Sequence, residues 1–364
     1  MVKPLNIGVI GCGAVSGQYL TQSRRFPILR LAACADLDPT AAAATAKEFQ
    51  IPRVCTPREL LADEEVELVL NLTVPKAHAQ VTLAALEAGK HVYVEKPLAA
   101  NRYDGQAVMA AARELMVGCA PDTFMGSGLQ TARHAIDEGR IGKPLGFTAF
   151  MMCPGHESWH PNPEFYYQPG GGPMFDMGPY YLTALLNLLG PVRRVCGMAS
   201  VAIPQRIIGS KPKQGKKITV QTPDHVTGLM EFKSGAVGTI IQSFAAHHAP
   251  NGQISIFGEI GTLQVPDPNQ FSGVVKIRLK GDADWTELAP VFKHDYGRSV
   301  GLAEMAQAIR DRRPCRASGE QGMAVLDLMQ RFLDSSADNY YYQASAPYER
   351  PAAMPLGKDF GVFA

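Results

Sequence analysis

Along residues 5–119 the hydrophobic pattern alternates between two periods. Leu5–Ile10, Leu29–Ala35, Leu68–Leu72, His91–Val94 and Met116–Cys119 are short apolar runs that read as strands. Between them Val15–Ser23, Pro39–Phe49, Ala77–Ala88 and Tyr103–Glu114 read as helices. Pro57–Ala62 starts a shorter one, and Gly89 closes the helix that reaches Ala88. Strand and helix in strict alternation, with short connections, predict a doubly wound parallel sheet.

Beyond about residue 122 the pattern changes. A helix at Gly128–Glu138 and a strand at Leu145–Met152 lead into an irregular aromatic segment, Cys153–Gly172, and a helix over Met177–Leu189. From Val192 to Leu288 the signal is mostly strands: Val192–Val201, Ile218–Gln221, His225–Phe232, Ala236–Phe244, Gly252–Gly258, Gly261–Val265, Val274–Leu279 and Thr286–Leu288. So many strands with few helices between them predict a large, mainly antiparallel sheet in an α+β domain. Helices at Ser299–Arg310 and Gly319–Ala337 and an extended tail, Pro347–Ala364, complete the chain. The expected division is residues 1–122 for dinucleotide binding and 123–364 for substrate binding and oligomerisation, and the length of 364 residues agrees with two domains.

Composition narrows the class. A chain that is 46% hydrophobic can bury a sizeable core, and a net charge of +1 argues against nucleic acid or an acidic membrane as a general partner. The basic stretch Lys211–Lys217 contains Pro212 and Gly215 and reads as a solvated loop. Neither a signal peptide nor an apolar run of membrane-spanning length is visible. Seven cysteines without a Cys-x-x-Cys pair read as reduced and structural, which points to the cytoplasm.

The candidate chemistry lies where strands end. Gly11-Cys12-Gly13-Ala14-Val15 follows the first strand. Gly11 permits a tight turn, Gly13 lets backbone approach a pyrophosphate, and the next helix offers its N-terminus to that anion. The third glycine of a Gly-x-Gly-x-x-Gly pattern is Ser16 here, with Gly17 one residue late. Asp36, followed by Leu37, ends the second strand; an acid there accepts from adenosine ribose hydroxyls and repels a 2′-phosphate, which favours NAD over NADP. A solvated turn is the plainer reading of Asp36, and Asp38 is expected to cap the next helix. Thr73, Pro75 and His78 follow the third strand and line the expected cofactor channel, with a backbone-bonded helix-start histidine as the alternative for His78. Glu95-Lys96-Pro97 ends the fourth strand; a lysine beside an oxidised nicotinamide is disfavoured in its charged form and suited to take a hydroxyl proton. In Gly170-Gly171-Gly172-Pro173-Met174-Phe175-Asp176, Asp176 and Tyr180 stand four apart and share a helix face, unless Asp176 is merely an N-cap. His156, Trp159 and His160 precede the glycines and suit a polyhydroxylated ring. His156 and His160 lack a nearby third ligand, so no metal is expected. His247 and His248 follow a strand and are further candidates for the cleft.

Together these segments resemble the Gfo/Idh/MocA family of NAD(P)-dependent oxidoreductases. The likeness rests on the glycine turn at 11–17, Thr-x-Pro-x-x-His at 73–78, Ala-Gly-Lys-His-Val-x-x-Glu-Lys-Pro-Leu-Ala at 88–99, Gly-Gly-Gly-x-x-x-Asp at 170–176 and Ala317-Ser318-Gly319-Glu320. The resemblance implies a Rossmann domain followed by an α/β domain with a large open sheet whose face joins dimers or tetramers. It implies a catalytic Lys96, substrate contact at Asp176, and hydride exchange between a nicotinamide and a sugar, sugar derivative or inositol. An NAD-dependent glycoside hydrolase using transient oxidation and a non-catalytic NAD sensor are the alternatives. One position departs from the family pattern: the histidine expected four residues after Asp176 is Tyr180, which is expected to handle the proton with Lys96, or only to orient a hydroxyl while Lys96 acts alone.

Overall fold

The computed structural model describes residues 3–247, 249, 253–292 and 296–356. His248 and the tail beyond residue 356 lie outside them. The chain forms two compact units, one made of Met1–Gly126, His294–Leu326 and Met354–Ala364, the other of Ser127–Lys293 and Asp327–Ala353.

In the first unit five strands, β1 (Leu5–Ile10), β2 (Leu29–Ala35), β3 (Leu68–Asn71), β4 (His91–Val94) and β5 (Val117–Cys119), make one parallel sheet in the order β2-β1-β3-β4-β5. Leu5, Ile7, Val9, Leu68, Val69, Leu70 and Val92 are fully buried, as strands covered on both faces require. Helices α1 (Ser16–Ser23), α2 (Pro39–Phe49), α3 (Pro57–Ala62), α4 (His78–Glu87) and α5 (Arg102–Ala112) alternate with them. Asp38 caps α2 by accepting from the Thr40 N–H at 2.8 Å. The strand order reverses direction between β1 and β3, and the crevice beyond their carboxyl ends is where such sheets take ligands.

A single cut at residue 122 does not describe this unit. The helix Val300–Asp311 belongs to it, because the fully buried Asp122 carboxylate accepts the Gly301 N–H at 2.9 Å. Further on, Ala317 O takes the Cys119 N–H at 2.9 Å and covers the free edge of β5.

The second unit begins with α6 (Ser127–Asp137) and β6 (Pro144–Met152). Where one helix is expected over Met177–Leu189 there are two, α7 (Gly172–Asp176) and α8 (Gly178–Leu189), and the third glycine of the run starts the first of them. Every residue of α8 is buried, in keeping with a sequence apolar on all sides. The sheet then gathers β7 (Val192–Ser200), β10 (His225–Phe232), β11 (Val237–Ser243), β12 (Gln253–Gly258), β13 (Gly261–Val265), β14 (Lys276–Leu279), β15 (Thr286–Glu287) and β16 (Tyr342–Gln343), ordered β15-β14-β13-β12-β6-β11-β10-β7-β16. All its neighbours run antiparallel except β6 and β11. The expected strand at Ile218–Gln221 is not in this sheet: β8 (Gln205–Ile207) and β9 (Lys217–Thr219) form a separate hairpin. One face of the large sheet packs inward through Phe147, Val226, Met230, Phe232 and Ile240, while Met198, Leu229, Val237 and Phe257 are exposed. Strand glycines make room for aromatic rings, and a Cβ on Gly228 would stand 2.3 Å from Phe332 Cε1. Among the described residues no helix is long and apolar enough to cross a membrane.

Burial without full pairing sets a pH dependence in the first unit. Asp122 Oδ1 and the Tyr93 hydroxyl are buried and have no hydrogen-bond partner among the described residues, and burial pushes the Asp122 carboxyl up to about 6. An acid whose folded pKa exceeds its unfolded value binds more protons when folded, so stability falls as pH rises from about 4 through 6. The cost above that window is about 3 kcal/mol at 1.36 kcal/mol per unit. Asp122→Asn keeps an acceptor for Gly301 and removes the charge. The variant should therefore gain several degrees in Tm over wild type at pH 8 and little at pH 4, by calorimetry; an equal difference at both pH values would refute this.

Candidate active site

In the first unit the glycine turn sits against the end of β3. Gly11 has φ +102°, and a Cβ there would meet Leu72 C at 2.6 Å and Leu72 O at 2.7 Å. Only glycine fits that approach. Gly13 is the opposite case: it is exposed, with nothing within 4 Å of where a Cβ would point. Ala14 is exposed too and Val15 half-buried, so the loop presents bare backbone just before α1. Ser16, in the third glycine's place, is buried and donates its hydroxyl to Gly13 O at 2.7 Å, which ties the loop to the helix. Gly17 is not the close-packing position, since its nearest neighbour, Phe49 Cζ, is 4.0 Å away.

Asp36 braces the same loop. Its Oδ2 accepts from the Cys12 N–H at 2.7 Å and its Oδ1 from the Asp38 N–H at 2.9 Å. Each oxygen keeps a second lone pair, and the residue is half-buried beside the exposed Leu37. A cradle of bare backbone at a helix start, with a fixed carboxylate at the next strand end, fits the pyrophosphate and ribose of a dinucleotide.

Two residues expected at the cofactor, His78 and Glu95, have side chains bonded within the protein. His78 is buried, with Nδ1 2.6 Å from Pro97 O and Nε2 2.9 Å from Thr73 O. Both ring nitrogens face main chain, so the ring shapes the turn rather than reaching a ligand; burial lowers its pKa. Glu95 is buried as well. It accepts from the Tyr19 hydroxyl at 2.9 Å, from Arg298 at 3.4 Å and from the Lys96 N–H at 2.7 Å. Its carboxylate is spent on fixing the turn that carries Lys96. Thr73 is half-buried, its hydroxyl on Asn71 Oδ1 at 2.7 Å, and Pro75 is exposed.

The second unit brings the other candidates together. Asp176 ends α7 and caps nothing: the N-cap of α8 is Met177, without a side-chain bond. Its Oδ2 lies 3.2 Å from His156 Nε2. The His156 ring is set edge-on among Tyr166, Phe244 and Trp159, with centroids 4.4, 4.5 and 5.2 Å away. Trp159 is 60% exposed and offers an open aromatic face, whereas Tyr180 is only 4% exposed. His160 Nδ1 accepts from the Asn162 N–H at 3.0 Å, and burial lowers its pKa. His247 is exposed beyond the end of β11.

Sequence reading missed the network that holds this segment. Arg206 is buried and donates to Pro154 O at 2.9 Å, Glu157 at 2.8 Å, Asp224 at 2.7 Å and Phe244 O at 2.7 Å. The Tyr167 hydroxyl donates to Glu157 and accepts from the His156 N–H. Gly155, at φ +101°, leaves room for Tyr167 and Arg206, a Cβ there falling 2.4 Å from the Tyr167 oxygen. No local pattern marks an arginine on a three-residue strand as an anchor. The basic loop is also less free than expected, since Lys213 and Lys216 both reach Glu164, at 2.7 and 3.3 Å.

A doubly wound sheet with a dinucleotide cradle, followed by a large mixed sheet, defines a nucleotide-dependent oxidoreductase. Residues 5–122 match the oxidoreductase family with an NAD-binding Rossmann fold, and residues 129–264 match the GFO/IDH/MocA C-terminal domain. The chain belongs to the Gfo/Idh/MocA family and is an NAD-binding oxidoreductase. It is 26% identical to a levoglucosan dehydrogenase of Pseudarthrobacter phenanthrenivorans over 69% of this chain and 70% of that protein. To a myo-inositol 2-dehydrogenase of Thermotoga maritima it is 25% identical over 88% and 93%. An NAD binding oxidoreductase from Klebsiella pneumoniae superposes with a TM-score of 0.82 at 25% identity, covering 94% of this chain and 99% of that one.

The two glycines of the turn give a matched test. Gly11→Ala adds a side chain where neither φ nor space admits one and should cost more than about 2 kcal/mol, with at least tenfold weaker NADH binding. Gly17→Ala meets nothing closer than 4.0 Å and should match wild type in both. Thermal unfolding and NADH fluorescence titration measure these quantities; equal behaviour of the two variants would overturn the role given to Gly11.

Proposed function

We propose that this enzyme interconverts a secondary hydroxyl and a keto group on a sugar, sugar derivative or inositol, using NAD rather than NADP. The observation that carries the reading is the anchored turn at Glu95-Lys96, a lysine whose own N–H is fixed on a buried carboxylate at the carboxyl edge of the sheet. Gly11, Gly13, Ala14 and Val15 would hold the pyrophosphate, Asp36 and Leu37 the adenosine end, and Thr73 and Pro75 would border the channel. When bound, the cofactor supplies an acceptor or donor of hydride at the nicotinamide C4.

Lys96 takes the hydroxyl proton during oxidation and returns it during reduction. Asp176 orients the hydroxyl, and Tyr180 stands beside it in the place of the family's histidine. Trp159 and His160 offer an aromatic face and a polar tip to a ring that has both apolar C–H faces and hydroxyl edges. The names of the levoglucosan and myo-inositol relatives support this substrate class. The seven free cysteines support a cytoplasmic location.

The test is a screen of NADH formation with inositols, aldoses and anhydrosugars, each with NAD and with NADP. Wild type should turn over at least one with NAD, and Lys96→Met should lose at least about 100-fold in kcat. Strong preference for NADP would overturn Asp36 as ribose ligand, and an active Lys96→Met would overturn the mechanism.

The exposed apolar face of the nine-stranded sheet, with Met198, Leu229, Val237 and Phe257, supports a homodimer or homotetramer built on that face. Light scattering at micromolar concentration should give at least twice the 39.3 kDa chain mass; a monomer would exclude it.

A further inference from the structure

The reading above leaves the His156 imidazole without a chemical task, yet its ring is held by a carboxylate and three aromatic neighbours. Asp176 accepts from Nε2 at 3.2 Å, so in the neutral ring Nε2 carries the proton and Nδ1 the lone pair. Among the described residues no hydrogen bond reaches Nδ1. The side chains of His156 and Asp176 are 14% and 18% exposed, enough for a small ligand to reach an edge of each. The ring plane is fixed by Tyr166, Phe244 and Trp159, and the His156 N–H is bonded to the Tyr167 hydroxyl at 3.2 Å. Tyr167 is held in turn by Glu157 and Arg206. The other titratable groups around the ring are His160, Cys153 and the Glu157–Arg206–Asp224 network.

An imidazole fixed by a carboxylate at one nitrogen and open at the other is the arrangement of an oriented general base. Tyr180, at 4% exposure, is less accessible than His156.

We propose that His156, oriented by Asp176, is a further proton-transfer residue in this enzyme, supplied from the aromatic segment and passing on the proton that Lys96 takes. In the oxidation direction the substrate O–H bond breaks and its electron pair becomes the second carbon–oxygen bond. Lys96 takes the proton, and His156 Nδ1 accepts it in turn and releases it to water, while a bound oxidised nicotinamide would accept the C–H hydrogen with its electrons. The inference rests on the functional reading above, in which Asp176 lies at the reacting hydroxyl.

Two measurements test it. In the cofactor-free protein, nitrogen-15 shifts of His156 should report the Nε2–H tautomer, and Asp176→Ala should remove that preference. An Nδ1–H ring in wild type, or no change in the variant, overturns the dyad without any substrate. With levoglucosan and myo-inositol as probe substrates, His156→Gln should lose about 100-fold or more in kcat with KM within about fivefold. A His156→Gln variant with wild-type turnover beside an inactive Lys96→Met overturns this proposal alone. Wild-type turnover in both variants overturns the functional reading itself.

Discussion

A buried carboxylate at the end of the fourth strand organises the first unit. Glu95 is 6% exposed and is bonded by a hydroxyl from α1, a guanidinium from the return of the chain and the N–H of Lys96. A buried carboxylate costs stability unless it is hydrogen-bonded, and these interactions offset that cost. Removing Tyr19 or Arg298 would leave charge without compensation, and the first element to respond would be the Lys96 turn. His78 closes the same turn from the other side, through the Pro97 and Thr73 carbonyls. The proposed reactive lysine is thus placed by residues that never need to touch a ligand, which is how a site gains a fixed geometry without losing access.

The second unit solves the same problem with a cation. Arg206 gathers two main-chain carbonyls and two carboxylates, and through Glu157 and Tyr167 it fixes the backbone at His156. Aromatic residues then set the ring angle. A segment with little regular secondary structure is held by directional bonds instead of by a helix or strand ladder, so its precision depends on the bonds of Asp224 and Glu157 to Arg206.

The parallel sheet and its order along the chain were legible because they follow from local periodicity and from glycine and proline punctuation. The turn at Gly11 was legible for the same reason, as was the cap at Asp38. What escaped was every feature made by distant partners. Glu95 reads as a ligand in a strand-end motif, and only the fold shows Tyr19 and Arg298 claiming it. His78 offered two readings that periodicity could not separate. Arg206 carries no signal at all on its short strand. The helix Val300–Asp311 has an ordinary amphipathic pattern that says nothing about which unit it joins. Local chemistry can be read along a chain, whereas the identity of a buried charge's partner is a property of topology.

That last point bears on how the protein is made. Asp122 is complete only when it receives the Gly301 N–H, and the edge of β5 only when Ala317 arrives. A ribosome adds roughly 5–20 residues each second, so the nucleotide-binding sheet waits about 10–40 s for parts encoded near the far end of the message. During that interval the emerging sheet has an uncovered strand edge and an unpaired acid. The second unit is synthesised almost whole in the meantime. Chaperone demand in the cell should therefore fall on the first-made half of this chain, although that half has the simpler topology.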